Sequence, residues 1–263
     1  MSSLAPYFRV FYQQSVNSVS RLMSFRTSFI LTLLADLASF LTFYLSAELL
    51  FTHIEGLGSW RREEFMFFVF WVQCIMSLHM GLIAANFWNL SDEIRTGKLD
   101  FRLVRPLGSL FDVFTAYIRP ISLVMLPFYG VALIYYGRLS ELSLLSWCLL
   151  LPLLLLSFIL LVLLEMIMSM AMFWTTTGDG INFIRMQSQQ IQKWPDFMYP
   201  QTFRIIFTRF IPILAVGSYS CRFLLNCGDW RDIAFMIGAI VICSIFLSYL
   251  WRAGLRRYES ASS

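Results

Sequence analysis

Charge is what this sequence has least of. Charged residues make up 14% of its 263 positions, 20 Lys and Arg against 16 Asp and Glu, whereas an average soluble domain carries about 25%. So little polar surface cannot coat a water-exposed globule, which excludes a soluble enzyme, and so apolar a chain is not a disordered one. The net charge of +4 is small, and no basic stretch is long enough to neutralise a phosphate backbone, which excludes a nucleic-acid module. Histidine is nearly absent, at His53 and His79, and the five cysteines, Cys74, Cys148, Cys221, Cys227 and Cys243, show no C-x-x-C spacing. No metal site is therefore expected. Cys74, Cys148 and Cys243 lie in apolar runs and read as small buried hydrophobes. Cys221 and Cys227 could pair only if both face an oxidising compartment.

What is abundant is apolar surface: 58% hydrophobic residues, 26 of them Phe, which makes lipid the relevant solvent. A helix needs about 20 mostly apolar residues to cross the hydrocarbon core. Residues 65–91, 120–137, 142–164 and 233–251 contain no charged side chain, and 29–51 contains only Asp36 and Glu48. These are five firm spans. The first apolar run follows about two dozen mixed residues without a small-residue cleavage site, so no cleavable signal peptide is expected. No internal repeat or low-complexity linker stands out, and one membrane domain is expected over 1–263.

Orientation follows from where Lys and Arg collect. Arg9, Arg21 and Arg26 precede the first span, Arg95, Lys98, Arg102 and Arg105 sit in the 89–108 loop, and Arg252, Arg256 and Arg257 close the chain. The opposing loops hold Arg61, Arg62, Arg138 and Arg231, the first two matched by Glu55, Glu63 and Glu64. Both termini are therefore placed in the cytoplasm, which demands an even number of crossings.

The sixth crossing must come from 165–230, where two readings compete. In one, 175–204 is a cytoplasmic loop and 205–225 a span. In the other, a polar helix over 177–194 crosses, and 197–227 forms a hairpin dipping into the outer leaflet, with Pro195 and Pro200 at its start and Pro212 at its bend. The second is adopted here. A polar helix at membrane depth must face protein or a water-filled path, so Asn182, Arg185, Gln189 and Gln192 become candidates for a translocation path or subunit interface. Asp36, Arg119 and Glu165 are charges within apolar runs, each costing about 2.5–3.5 kcal/mol at a helix centre. They read either as pathway residues or as mutual pairs and snorkelling side chains. Before the first span, Leu4, Phe8, Phe11, Tyr12, Val16, Val19, Leu22 and Met23 recur at steps of three and four, the mark of an amphipathic helix over 4–25 lying in the headgroup plane. The expected fold is all-α: six transmembrane helices over 29–51, 65–88, 109–137, 142–172, 177–194 and 232–252, the interfacial helix, and the re-entrant hairpin.

The loop 91–106, SDEIRTGKLDFRLVRP, interleaves charges with Leu99, Phe101 and Leu103, around a turn allowed by Gly97. Such a surface can lie near anionic headgroups or seat in a groove on a soluble partner. Here a resemblance becomes specific. Glu93, Gly97, Leu99, Asp100, Leu103 and Arg105-Pro106-Leu107 resemble the cytoplasmic motif of type-2 ATP-binding-cassette permeases, the six-helix membrane subunits of export systems. Tyr199-Pro200, Phe203-Arg204 and Ile211-Pro212 resemble that family's outer-leaflet element, Phe173-Trp174 its aromatic pair, and the amphipathic start its elbow helix. Ser218-Tyr219-Ser220-Cys221 stands where the family's second outer-leaflet proline is expected.

The resemblance implies a coupling loop at Glu93, Arg95, Gly97, Lys98, Leu99, Asp100, Phe101, Arg102, Leu103 and Arg105. It further implies a second permease copy, identical or a sister chain, separate ATPase subunits that carry ATP and Mg, and a bacterial cytoplasmic (inner) membrane. No cofactor and no catalytic residue are expected in this chain. Its only Gly-Lys pair, Gly97-Lys98, continues with Leu99 and has Asp92 where the first glycine of G-x-x-x-x-G-K-[ST] should be, so it cannot cradle ATP by that device. Two other classes stand beside this one. A stand-alone secondary transporter or channel often shows an inverted repeat, and none is seen. An intramembrane enzyme finds no G-x-S-x-G, H-E-x-x-H or paired-carboxylate motif.

Overall fold

The computed structural model describes residues 5–24, 26–54, 56–105, 108–175 and 177–258. Leu4 and Phe25 at the bounds of the amphipathic segment, Glu55, Thr176, and Pro106 and Leu107 of the loop motif lie outside the described residues. The described residues form α1 (Ala5–Ser24), α2 (Arg26–Phe51), α3 (Arg62–Leu82), α4 (Ala84–Arg95), α5 (Asp100–Leu103), α6 (Ser109–Thr115), α7 (Pro120–Val124), α8 (Leu126–Leu139), α9 (Leu144–Met170), α10 (Asp179–Ile191), α11 (Gln201–Ile205), α12 (Ile213–Leu224) and α13 (Trp230–Arg257). The protein is an all-α, multi-pass membrane protein. Among the described residues five stretches are long and apolar enough to cross a bilayer, and the pair 201–210 and 213–224, bent by 93° at its break, has the shape of either a broken span or a re-entrant loop.

The core forms around α3. Every residue from Phe65 to Val72 is buried, and a helix that is apolar all round belongs inside a bundle. It packs on α7, α8, α9 and α12. Glu64 starts it by accepting the Arg61 backbone N–H at 2.7 Å, the reciprocal half of a capping box. Side-chain caps also open α9, where Ser143 accepts the Ser146 N–H, and α13, where Asp229 accepts that of Arg231. By contrast α2 stands at the edge, with Ile30, Leu31, Leu34, Leu41, Leu45 and Leu49 exposed. Cys148 is exposed too and Cys243 half-buried, so of the three cysteines expected inside only Cys74 is fully buried. Cys221 and Cys227 are both free thiols.

The stretch expected as one helix over 109–137 is broken. Arg119 is extended, with φ −114° and ψ 82°, because Pro120 lacks an N–H and its ring disfavours a helical residue before it. The freed backbone groups find partners: Tyr117 N–H donates to Asn86 Oδ1, Asn86 Nδ2 donates to Tyr117 C=O, and Arg119 N–H donates to Gly81 C=O.

Three basic segments meet at one end of the bundle. Gly108 N–H donates to the Tyr7 hydroxyl of α1, and Trp251 Nε1 of α13 donates to Ser109 Oγ. We call this the basic end. At the opposite end Arg222 bridges Asp196, at 3.1 Å, and Asp232, at 2.8 Å, and Ser218 Oγ accepts the Asp196 N–H. These bonds fix the bent 201–224 segment. α12 runs unbroken through Ser218–Cys221, with no proline there to kink it.

The polar segment expected to be helical over 177–194 is helical over Asp179–Ile191 only, about 20 Å at 1.5 Å per residue. Pro195 explains the early stop, since it disfavours helical geometry at Trp194. Its two ends sit at different heights. A side chain at Gly178 would collide with Ser91 of α4 at the basic end, whereas Trp194 packs on Phe43 and Phe65 near the far ends of α2 and α3.

Candidate functional site

At the basic end the loop after α4 folds into a clamp. Gly97 takes φ +70°, a left-handed conformation that glycine adopts at no steric cost, and this reverses the chain into α5. Arg102 then reaches back to Glu93 in a two-pronged pair, Nε to Oε2 at 2.7 Å and NH2 to Oε1 at 2.6 Å. Tyr117 donates its hydroxyl to Glu93 Oε1, and Asp112 takes Arg105 at 3.0 Å and Arg102 at 3.6 Å. Burial is the largest influence on Arg102 and works against its charge, but the Glu93 hydrogen bond together with the negative charges of Glu93 and Asp112 outweighs it and holds the guanidinium above its ordinary range. Leu99 drives the same closure by joining Phe87, Val113, Phe114, Phe173 and Trp251 in an apolar cluster.

The loop therefore has two sides. Glu93, Leu99 and Arg102 are turned inward, with Leu103 half-buried, so Leu99 is not available as the exposed anchor that its alternation suggested. Arg95, Lys98 and Arg105 face outward, and Phe101 and Val104 are 71% and 80% exposed. Asp100 is partly covered. Val104, Asp112 and Tyr117 are the members that sequence reading missed: Asp112 and Tyr117 lie beyond the motif, and Val104 carries no charge pattern.

Deep in the bundle a second cluster gathers on Glu165 of α9. His79 Nε2 of α3 lies 3.1 Å from Glu165 Oε2, at ion-pair distance but without hydrogen-bond alignment, and Arg185 NH1 of α10 lies 3.6 Å from the same oxygen. Gln189 donates to Oε1. The Arg185 guanidinium stacks 4.2 Å above the Phe87 ring, a cation–π contact that offsets part of its desolvation. All four polar side chains are buried. Their hydrogen bonding is incomplete: His79 Nδ1, Arg185 Nε, Asn182 Oδ1 and Gln192 Oε1 have no partner among the described residues, and each such buried group costs about 1–3 kcal/mol.

Asn182, Arg185, Gln189 and Gln192 thus face this chain's own interior rather than a neighbouring subunit. The buried Glu165 accounts for this, because a charge at that depth persists only with partners. The outward face of α10 is Phe183, Ile184, Met186, Gln187 and Gln190. Glu165 is neither snorkelling nor paired with the other two intramembrane charges. Arg119 is the cation that acts on Asp36, but the two form no ion pair among the described residues. No group of His, Cys, Asp and Glu that could hold a metal ion occurs among them either.

The family profile described as ABC-2 family transporter protein matches residues 37–262, a region that contains the clamp, the Glu165 cluster and every helix from α3 to α13. The chain belongs to the ABC-2 transporter family. No curated protein and no solved structure matches it. Membership makes the chain a membrane permease subunit of an ATP-binding-cassette transporter, a class that works with ATP-binding-cassette ATPase subunits. In that setting the clamp and the Glu165 cluster are two polar centres of an ABC-2 permease, one at the basic end and one deep in the bundle.

Proposed function

We propose that this ABC-2 permease is an exporter subunit that pairs with a second permease, identical or a sister chain, and is driven by separate ATPase subunits carrying ATP and Mg in a bacterial cytoplasmic membrane. The two-sided loop carries this reading. A contact that transmits force needs a stiff base and an exposed apolar tip. The Glu93–Arg102 pair supplies the base, and Phe101 and Val104, ringed by Arg95, Lys98 and Arg105, supply the tip. That no G-x-x-x-x-G-K-[ST] motif occurs in this sequence fits hydrolysis on a partner, and the clustering of α1, the loop and the end of α13 at one end supports cytoplasmic termini.

Purification from native membranes should recover an ATPase with the permease. A permease that purifies alone and moves cargo in ATP-free liposomes overturns the reading. In this topology 177–194 is a crossing, supported by the different heights of Gly178 and Trp194. A cysteine at Thr202 in a cysteine-free background then reacts with an impermeant thiol reagent from outside, and labelling only after permeabilisation returns the segment to a cytoplasmic loop.

A further inference from the structure

Two cavities adjoin within the membrane depth of this chain. One, of about 630 Å³, is a cleft between α2 and α8 lined by apolar side chains, its only hydroxyls coming from Tyr44, Tyr129, Tyr135 and Tyr136. Leu37, Leu41, Phe128 and Tyr135 at its lip are exposed, so it opens sideways at the level of the spans. The other, of about 310 Å³, is a polar chamber whose wall includes Asp36, Gln73, Gln190 and Lys193. Phe40, Met125 and Tyr129 line both, so the chamber and the cleft share one wall. Asp36 lies ten residues after the start of α2 and Gln73 eleven after the start of α3, each about 15 Å along its helix from opposite ends of the bundle, which sets the chamber near the middle of a core about 30 Å thick.

The chamber wall is expensive. It holds one carboxylate and one ammonium, and neither the Asp36 carboxylate nor the Lys193 ammonium forms a hydrogen bond or ion pair among the described residues. Charges at this depth are retained where they line a path or meet a ligand. Both volumes fall within the roughly 300–1,000 Å³ of ligand sites. A charged chamber joined to a hydrocarbon-lined, laterally open cleft is complementary to a molecule with the same two halves.

We propose that the chamber and cleft form one binding site for a zwitterionic amphiphile, its cationic group toward Asp36, its anionic group toward Lys193 and a hydrocarbon chain along the cleft between α2 and α8. Such a molecule enters sideways from the bilayer, and its tail never has to pass through water. The assignment deepens the permease reading and rests on it for the role of the bound molecule as cargo.

The test uses the full chain in phosphatidylglycerol nanodiscs with lysophosphatidylcholine carrying a diazirine on its acyl chain, and crosslinked peptides mapped by mass spectrometry. Labelling of α2 and α8 should be saturable and competed by unlabelled lysophosphatidylcholine, but not by a single-chain phosphatidylglycerol analogue or an alkyltrimethylammonium. Leu37→Trp and Ala132→Trp, which fill the cleft, should abolish it, and Asp36→Asn and Lys193→Gln should each weaken it about tenfold or more. The last two leave the apolar packing intact, so a folding defect in the tryptophan variants does not decide the matter. Non-saturable labelling equal to that of other exposed helices, or labelling unmoved by the four variants, reduces the cleft to a place for bulk lipid and overturns the proposal. Stronger competition by the anionic analogue overturns the head assignment. Disulfide formation between copies carrying cysteine at Leu37, with exclusion of the probe, shows a second permease in the cleft and also overturns it. No ATPase is present in the assay, so a failed permease–ATPase pairing and a failed binding site are distinguishable.

Discussion

Glu93 and Glu165 are both buried carboxylates facing arginines, yet the two are built to opposite standards. Glu93 receives both prongs of Arg102 and a tyrosine hydroxyl, all between 2.6 and 3.2 Å, within a short stretch of chain. Glu165 gathers its partners from two other helices, α3 and α10, with Arg185 at 3.6 Å and His79 misaligned. A two-pronged, charge-assisted pair is stiff and geometrically specific. A shared carboxylate with spare donors around it ties elements together without fixing one arrangement of them. Under the proposed coupling role the first suits a surface that transmits force, whereas the second holds α3, α9 and α10 together with looser geometry.

The largest effect is expected at the less satisfied site. Glu165→Ala leaves Arg185 buried without its carboxylate and should cost about 3–5 kcal/mol, read as a fall in the thermal midpoint of the detergent-purified protein. Glu165→Leu combined with Arg185→Met should restore most of it, since an apolar pair of similar size carries no desolvation cost. A double variant as unstable as the single would show that the ion pair is not what holds α10. Next comes Glu93→Ala. Arg102 keeps Asp112 beside it, so the expected loss is smaller, about 1.5–3 kcal/mol for charged hydrogen bonds. Equal losses at Glu93 and Glu165 would erase the distinction between clamp and junction.

Phe101→Asp and Val104→Asp should alter stability by less than about 0.5 kcal/mol, because both side chains are solvent-facing. They should nevertheless separate ATP hydrolysis from transport in the reconstituted complex. Unchanged assembly and transport in both would remove the loop from the mechanism. The smallest effect is expected for Arg95→Ala, whose pair with Asp92 at 3.1 Å is about 70% exposed on both sides. Screened pairs of this kind contribute about 0.2–1 kcal/mol at most.

The sequence by itself determined the solvent, the class and the five apolar spans, because lipid demands long uncharged helices and that demand is written locally in composition. It also marked the loop at Gly97 and, through motif order, the permease family. Tertiary structure decided what local pattern cannot carry. The break at Arg119-Pro120 could be anticipated from the proline, but its repair by Asn86, more than thirty residues away in the chain, could not. The outward alternation of Leu99, Phe101 and Leu103 misled because the turn at Gly97 swings Leu99 under α6, an outcome set by the cluster it joins. The Glu165 cluster needed residues 79, 165, 185 and 189 to meet, and no periodicity links them. A buried charge chooses partners by distance through a low-dielectric interior, so its partners become legible only when the helices carrying them are packed side by side.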